Sequence, residues 1–281
     1  MIPDNVIQES TRKVLLEYMG ISTDVRGASM GMYDRVIGLF EKYAHEPVWN
    51  DSGFVTQDSE PILSCDFRVY TDGTKAEDIV SVMYATFWCF DGTPQCDLYD
   101  SEGLFDEHDR AIYINICVPG SRVLGKRTRA GIFNMISHEM MHAFRYCKKG
   151  NSDSGKIYDR YIGLGAAEYG DNTSKALAEH MSTLAYALSD EEINSFVQGM
   201  YSEAMMGTDI RDTEEYKTYR RIQRTYRKVM YATPKYLPII DRICREDIGV
   251  SLKQFRSYCE RGMRKFEKKL RKVFQLIQDK Y

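Results

Sequence analysis

The stretch Ile136-Ser137-His138-Glu139-Met140-Met141-His142-Ala143 constrains this chain more than any other. It places two histidines and a glutamate inside an apolar segment. Ile132, Phe133, Met135, Ile136, Met140, Met141, Ala143 and Phe144 surround them on every side, and a helix that is apolar all round is normally buried. Polar groups in such a core cost several kcal/mol unless they have partners, so the segment needs a chemical reason for carrying them. On a helix, residues four apart share a face, so His138 and His142 can present two imidazoles to one ion, with Glu139 about 100° round the axis. Two nitrogens at that spacing suit a tetrahedral zinc ion, and the adjacent carboxylate can act on a water bound to it.

The 281 residues suffice for one sizeable core or two modest domains, and a hydrophobic share of 43% excludes a disordered chain. Met1–Ser10 is polar and broken by Pro3, and no apolar run approaches the ~18 residues of a membrane span, so a cytoplasmic protein is expected. Seven cysteines, at 65, 89, 96, 117, 147, 244 and 259, include no Cys-x-x-Cys pair. That favours a reduced compartment and excludes a zinc ribbon. Charge is spread unevenly although the net is only −3. Glu46–Arg110 holds fifteen acidic against three basic residues, a net of −12, and Arg211–Tyr281 holds twenty basic against nine acidic, a net of +11. Opposite charge of this kind keeps two halves solvated; its sharper reading is an anionic partner, nucleic acid included, for the basic part.

Taken in order, 5–19 and 30–44 have the period of two helices, with Gly27 and Gly31 punctuating the join. The acidic middle reads as short strands and long turns, with strands at Asp66–Thr71 and Val80–Phe90 and Asp-Gly turns at 72–73 and 91–92; a helix over 76–90 is the alternative. Ala111–Val118 is the clearest strand, because Ile112, Ile114, Ile116 and Val118 alternate with Tyr113, Asn115 and Cys117. The motif helix is expected over Thr128–Tyr146, closed by Lys148, Lys149 and Gly150. Beyond a Gly, Ser and Tyr-rich loop, helices are expected at 174–188 with a cap from Asp171-Asn172-Thr173, from Ser189-Asp190-Glu191-Glu192 to Met205 with Gly207 closing it, and at 212–232, 234–246 and 251–279. In the last, Met263, Phe266, Leu270, Val273 and Ile277 form a seam for internal packing.

A catalytic zinc takes three protein ligands and leaves one position to water, so a third ligand must come from elsewhere. Glu179 is the first choice, because Ala176, Ala178 and Ser182 let its helix approach closely, although it points away from the Leu177/Met181/Leu184 stripe; His180 and Glu168 are the alternatives. A donor for the oxyanion is also needed; the candidates are Tyr169, named first, Tyr158, Tyr161 and His180, and nothing in the sequence separates them. His45 and His108 are expected on the surface or in loops. The methionines are core filling.

His138-Glu139-Met140-Met141-His142 together with Ala178-Glu179-His180-Met181-Ser182 resembles the zincin metallopeptidases, specifically the gluzincins, whose third ligand is a glutamate on a later helix. The motif is more distantly similar to SprT and Spartan-like proteases, whose third ligand is a histidine; this chain has none between 142 and 180. The resemblance covers about 111–188. It implies an α+β fold: a zincin-like core in which a small sheet and an edge strand, here Ala111–Val118, pack on the motif helix, with a helical C-terminal region. It also implies a zinc-dependent endopeptidase with His138, His142 and Glu179 as ligands and Glu139 as general base, acting on peptide or protein. The expected division is a peptidase domain over 1–208 and a basic helical subdomain over 209–281. A competing expectation is a non-catalytic zinc-containing binding or scaffold protein that works through its basic half.

Overall fold

The structure, a computed structural model, describes residues 23–43, 63–69, 79–89, 102–106, 108–109, 111–118, 123–149 and 169–278. It is mostly helical with a small sheet, an α+β arrangement. The chain divides into two compact units, 1–150 with 198–213 and 151–197 with 214–281. The expected boundary at 208/209 differs: the helix carrying Glu179 belongs with the C-terminal helices, not with the motif helix. The expected helix at 5–19, the Asp-Gly turns and the loop over 150–168 lie outside the described residues.

The first unit begins with α1, Thr23–Tyr43. Gly27 and Gly31 do not end a helix there as expected; both lie inside α1 on its exposed side, where an added Cβ would meet nothing within 4 Å. Each costs about 1 kcal/mol in a helix interior. Val25, Met32, Val36, Ile37 and Phe40 are buried on the other side, each contributing about 1.5–3 kcal/mol, and burial outweighs the glycines.

The strands β1 (Leu63–Val69), β2 (Ile79–Cys89), β3 (Glu102–Asp106) and β4 (Ala111–Val118) form one sheet in the order β1-β2-β4-β3. β1 and β3 run antiparallel to their neighbours, whereas β2 and β4 are parallel, with Val82 opposite Ala111 and Cys89 opposite Val118. The helix alternative for 76–90 is thereby replaced by a strand. Asp106 closes the β3–β4 turn, its Oδ1 accepting the N–H of His108 at 2.7 Å and of Asp109 at 3.1 Å. Those two bonds hold its carboxyl below the usual range, and His108 is exposed as expected.

Next comes α2, Lys126–Lys149. It joins α1 and the sheet in one core, in which Ile112, Ile114 and Ile116 of β4 and Ile132, Phe133 and Ile136 of α2 are fully buried. Tyr33 meets Phe133 edge-on at 5.5 Å, and Arg129 pairs with Glu41 at 2.7 Å.

The second unit holds α3 (Asn172–Ala187), α5 (Glu214–Met230), α6 (Leu237–Arg242) with a π turn Ile243–Ile248, and α7 (Leu252–Gln278). The helix α4 (Asp190–Met205) passes unbroken from this unit into the first. Asp171 caps α3 as expected, accepting from the N–H and the hydroxyl of Ser174, which lowers its own pKa. Gly207, at φ 87°, closes α4 as expected. Met263, Phe266, Leu270 and Val273 of α7 are buried, Phe266 between Phe196 and Tyr219. Gly262 lets α7 reach the backbone of α3's end, since a Cβ there would lie 2.6 Å from the carbonyl oxygen of Leu188. Among the described residues no helix is long and apolar enough to cross a membrane.

Candidate metal centre

His138 and His142 lie on adjacent turns of α2, and their Nε2 atoms are 3.2 Å apart. Two nitrogens bound to one zinc at ~2.0–2.1 Å and a tetrahedral angle lie about 3.3 Å apart. The pair is therefore already spaced as a chelate, within about 0.1 Å of the zinc bite. His138 is 8% exposed and His142 half-buried, so an ion there would be largely shielded from water.

Glu139, also 8% exposed, turns to the side of α2 that faces β3. There it meets Gly103: a Cβ on that glycine would lie 2.8 Å from the Glu139 Cγ and 3.0 Å from its Oε1. Among the described residues the sheet edge beside α2 is β3; Ala111–Val118, the expected edge strand, lies inside the sheet. β4 has β2 on one side and β3 on the other, and its isoleucines are buried in the core shared with α1 and α2. Sequence reading passed over β3 because its five residues, Glu-Gly-Leu-Phe-Asp, hold a glycine and two acids and show little of a strand's usual composition.

The third donor comes from α4. Near the C-terminal end of that helix Glu203, 1% exposed, accepts a hydrogen bond of 2.6 Å from Nδ2 of Asn134, one turn before His138 on α2. Eleven residues before Glu203, three turns back on the same face of one continuous helix, stands Glu192, with the small Ser195 and Gly199 between them. His138, His142 and Glu192 each offer a ligand atom, and these atoms all lie within 4.8 Å of one another. With Glu192 only 4% exposed, this buried group could hold a metal ion.

Glu192 was not among the sequence candidates, for a physical reason. Ser189-Asp190-Glu191-Glu192 reads locally as a helix start, and Ser189 Oγ does accept from the Glu192 N–H at 3.1 Å, which says nothing of where the carboxylate turns. The available signal was a glutamate at the start of a face continued by Ser195 and Gly199. Glu179, the expected ligand, is exposed on α3 and stands outside the cluster, as the stripe of that helix suggested. Its alternative His180 is half-buried, and its pKa is lowered by burial and by the Lys228 charge. Glu168 and His45 lie outside the described residues, with Tyr158 and Tyr161. Tyr169, the expected oxyanion donor, gives its hydroxyl proton to Asp247 at 2.8 Å, and burial and that bond push its pKa up.

The chain matches no protein-family model, no curated protein and no solved structure. The metal centre therefore stands on its own geometry.

Proposed function

We propose that the protein is a zinc-dependent peptidase in which His138, His142 and Glu192 hold the ion and Glu139 is the general base. The observation that carries this reading is the 3.2 Å separation of the two imidazole nitrogens, with Glu139 on the adjoining face against β3. Two nitrogens and one carboxylate oxygen make the donor set of many catalytic zinc sites, and a borderline ion suits it better than calcium or magnesium, which prefer all-oxygen sites. The ion would supply positive charge that polarises a carbonyl and eases deprotonation of water.

The remaining work falls to the chain. Glu139 takes the proton of the attacking water and delivers it to the departing amine, so one carboxylate serves both steps of peptide hydrolysis. Among the described residues β3 has β4 as its one sheet neighbour, which leaves its other edge to pair with an extended peptide. The missing side chain at Gly103 keeps that edge and Glu139 in close approach. A second reading, a zinc-containing scaffold, is favoured by the basic surface of the C-terminal helices.

Metal analysis together with proteolysis of a fluorogenic peptide library tests the assignment. Purified without chelator, the parent and Glu139→Gln are each expected to carry about one zinc, and the substitution to lower peptide hydrolysis at least about a hundredfold. His138→Ala and Glu192→Ala are expected to lose the metal. A parent devoid of zinc overturns the metal centre; a zinc-loaded parent without hydrolysis favours the scaffold.

A further inference from the structure

We propose that one face of α5 binds the sugar-phosphate backbone of single-stranded nucleic acid. Every exposed residue of this helix is cationic: Arg220, Arg221, Arg224, Arg227 and Lys228. Their spacings of three, four and seven gather them on one side, while Tyr219, Ile222 and Val229 are buried on the other. The neighbouring helices differ. Exposed positions of α7 mix Arg and Lys with Glu260, Ser257 and Gln275, and those of α3 include Glu179, Thr183 and Tyr186. α7 exposes five cations of its own, Lys253, Arg261, Arg264, Lys268 and Arg271, but of these three helices α5 alone exposes nothing else.

Arg220 donates to Gln223 and Arg224 to the Arg220 carbonyl, and neither partner is a carboxylate. Four of the five cations are arginine, whose planar fork matches phosphate oxygens in pairs. An aromatic ring completes the stripe. Tyr231, 77% exposed, keeps the helical bond of its N–H to the Arg227 carbonyl at 3.1 Å, and so stands one turn beyond Arg227 on the arginine side. Cations in a row ending in an exposed ring fit a strand whose bases are free to stack. A lipid surface fits less well, because a helix lying on a membrane inserts its apolar face, and that of α5 is already buried within the unit.

Arg220 to Lys228 spans about 12 Å at ~1.5 Å per residue, enough for roughly three or four phosphates at ~3.4 Å each. The expected slope of log affinity against log salt is about −2 to −3, or about thirtyfold weaker binding between roughly 50 and 200 mM salt. The probe is a fluorescein-labelled oligothymidylate of about 20 nucleotides followed by anisotropy on the full chain. Arg220→Gln/Arg224→Gln/Arg227→Gln is expected to bring the slope near zero, and Tyr231→Ala to weaken binding at all salt concentrations alike. Lys253→Gln/Arg261→Gln/Arg271→Gln, which removes equal charge from exposed positions of α7, is expected to keep the slope. Circular dichroism checks that each variant folds. Absence of binding at low salt, an unchanged slope in the α5 variant, or equal affinity for polyglutamate or phosphatidylserine vesicles overturns the proposal. Glu139→Gln is expected to bind like the parent, which separates this result from the peptidase reading.

Discussion

At the scale of single residues, the closest constraint at the site is the contact between Gly103 and Glu139. No left-handed backbone angle demands glycine at 103; the demand is for space, since a methyl group would press on the Cγ atoms of Glu139 and Met135 at 2.8 and 2.9 Å. Gly103→Ala is therefore expected to move the Glu139 carboxylate while leaving the two histidines in place. The measurable outcome is a fall of tenfold or more in peptide hydrolysis with zinc content unchanged, an order of magnitude that corresponds to about 1.4 kcal/mol of barrier. Activity equal to the parent would show that Glu139 is not held by this contact. The same scale explains the misplaced third ligand. Glu179 and Glu192 are both glutamates near the start or middle of a downstream helix, and local pattern cannot say which carboxylate turns inward. Burial separates them, with Glu192 4% exposed and Glu179 on the exposed side of its helix.

At the scale of elements, the site depends on how α4 is set against α2. Asn134 and Glu203 make the bond that ties the end of α4 to α2, and both are buried, at 3% and 1% exposure. A neutral donor removed from a buried carboxylate costs about 1–3 kcal/mol. Asn134→Leu is accordingly expected to lower the urea midpoint by that amount of stability with the m-value unchanged, and to reduce zinc retention, because Glu192 rides on the same helix three turns away. Stability within about 0.3 kcal/mol of the parent, with zinc retained, would show the bond to be idle. Most elements were legible in the chain. The caps at Asp171 and Gly207 and the seam of α7 follow from local chemistry and periodicity, which act within a few residues. The interruption expected at Gly27 and Gly31 did not, because tertiary burial of the opposite face overrode a local preference of about 1 kcal/mol per glycine.

At the scale of the whole molecule, a metal held by His138, His142 and Glu192 would be coupled to stability. A ligand that binds the folded chain alone stabilises it by about 2.7 kcal/mol at a free concentration one hundred times its dissociation constant. Removing zinc with a chelator is therefore expected to lower the melting temperature, and zinc, added back, to restore it. The His138→Ala variant should melt at one temperature with or without chelator. A parent whose melting temperature ignores chelator would argue against an occupied site. Part of the surplus of cations in 211–281 lies on one exposed face of α5.

The sequence by itself determined the histidine pair. His138 and His142 are joined by one turn of helix, and the geometry of that turn places their nitrogens for any chain that forms it. It also determined that Glu139 stands beside them, and that the C-terminal half is helical. Only the tertiary structure brings a carboxylate near the pair: Glu192, fifty residues from His142, offers an oxygen within 4.8 Å of the two imidazole nitrogens. The same holds for the edge strand. Nothing within Glu102–Asp106 says that it is a strand; it becomes one because β4 offers it hydrogen-bond partners and α2 offers it a surface. Local periodicity encodes what adjacent turns can do together, and burial among distant segments settles the rest.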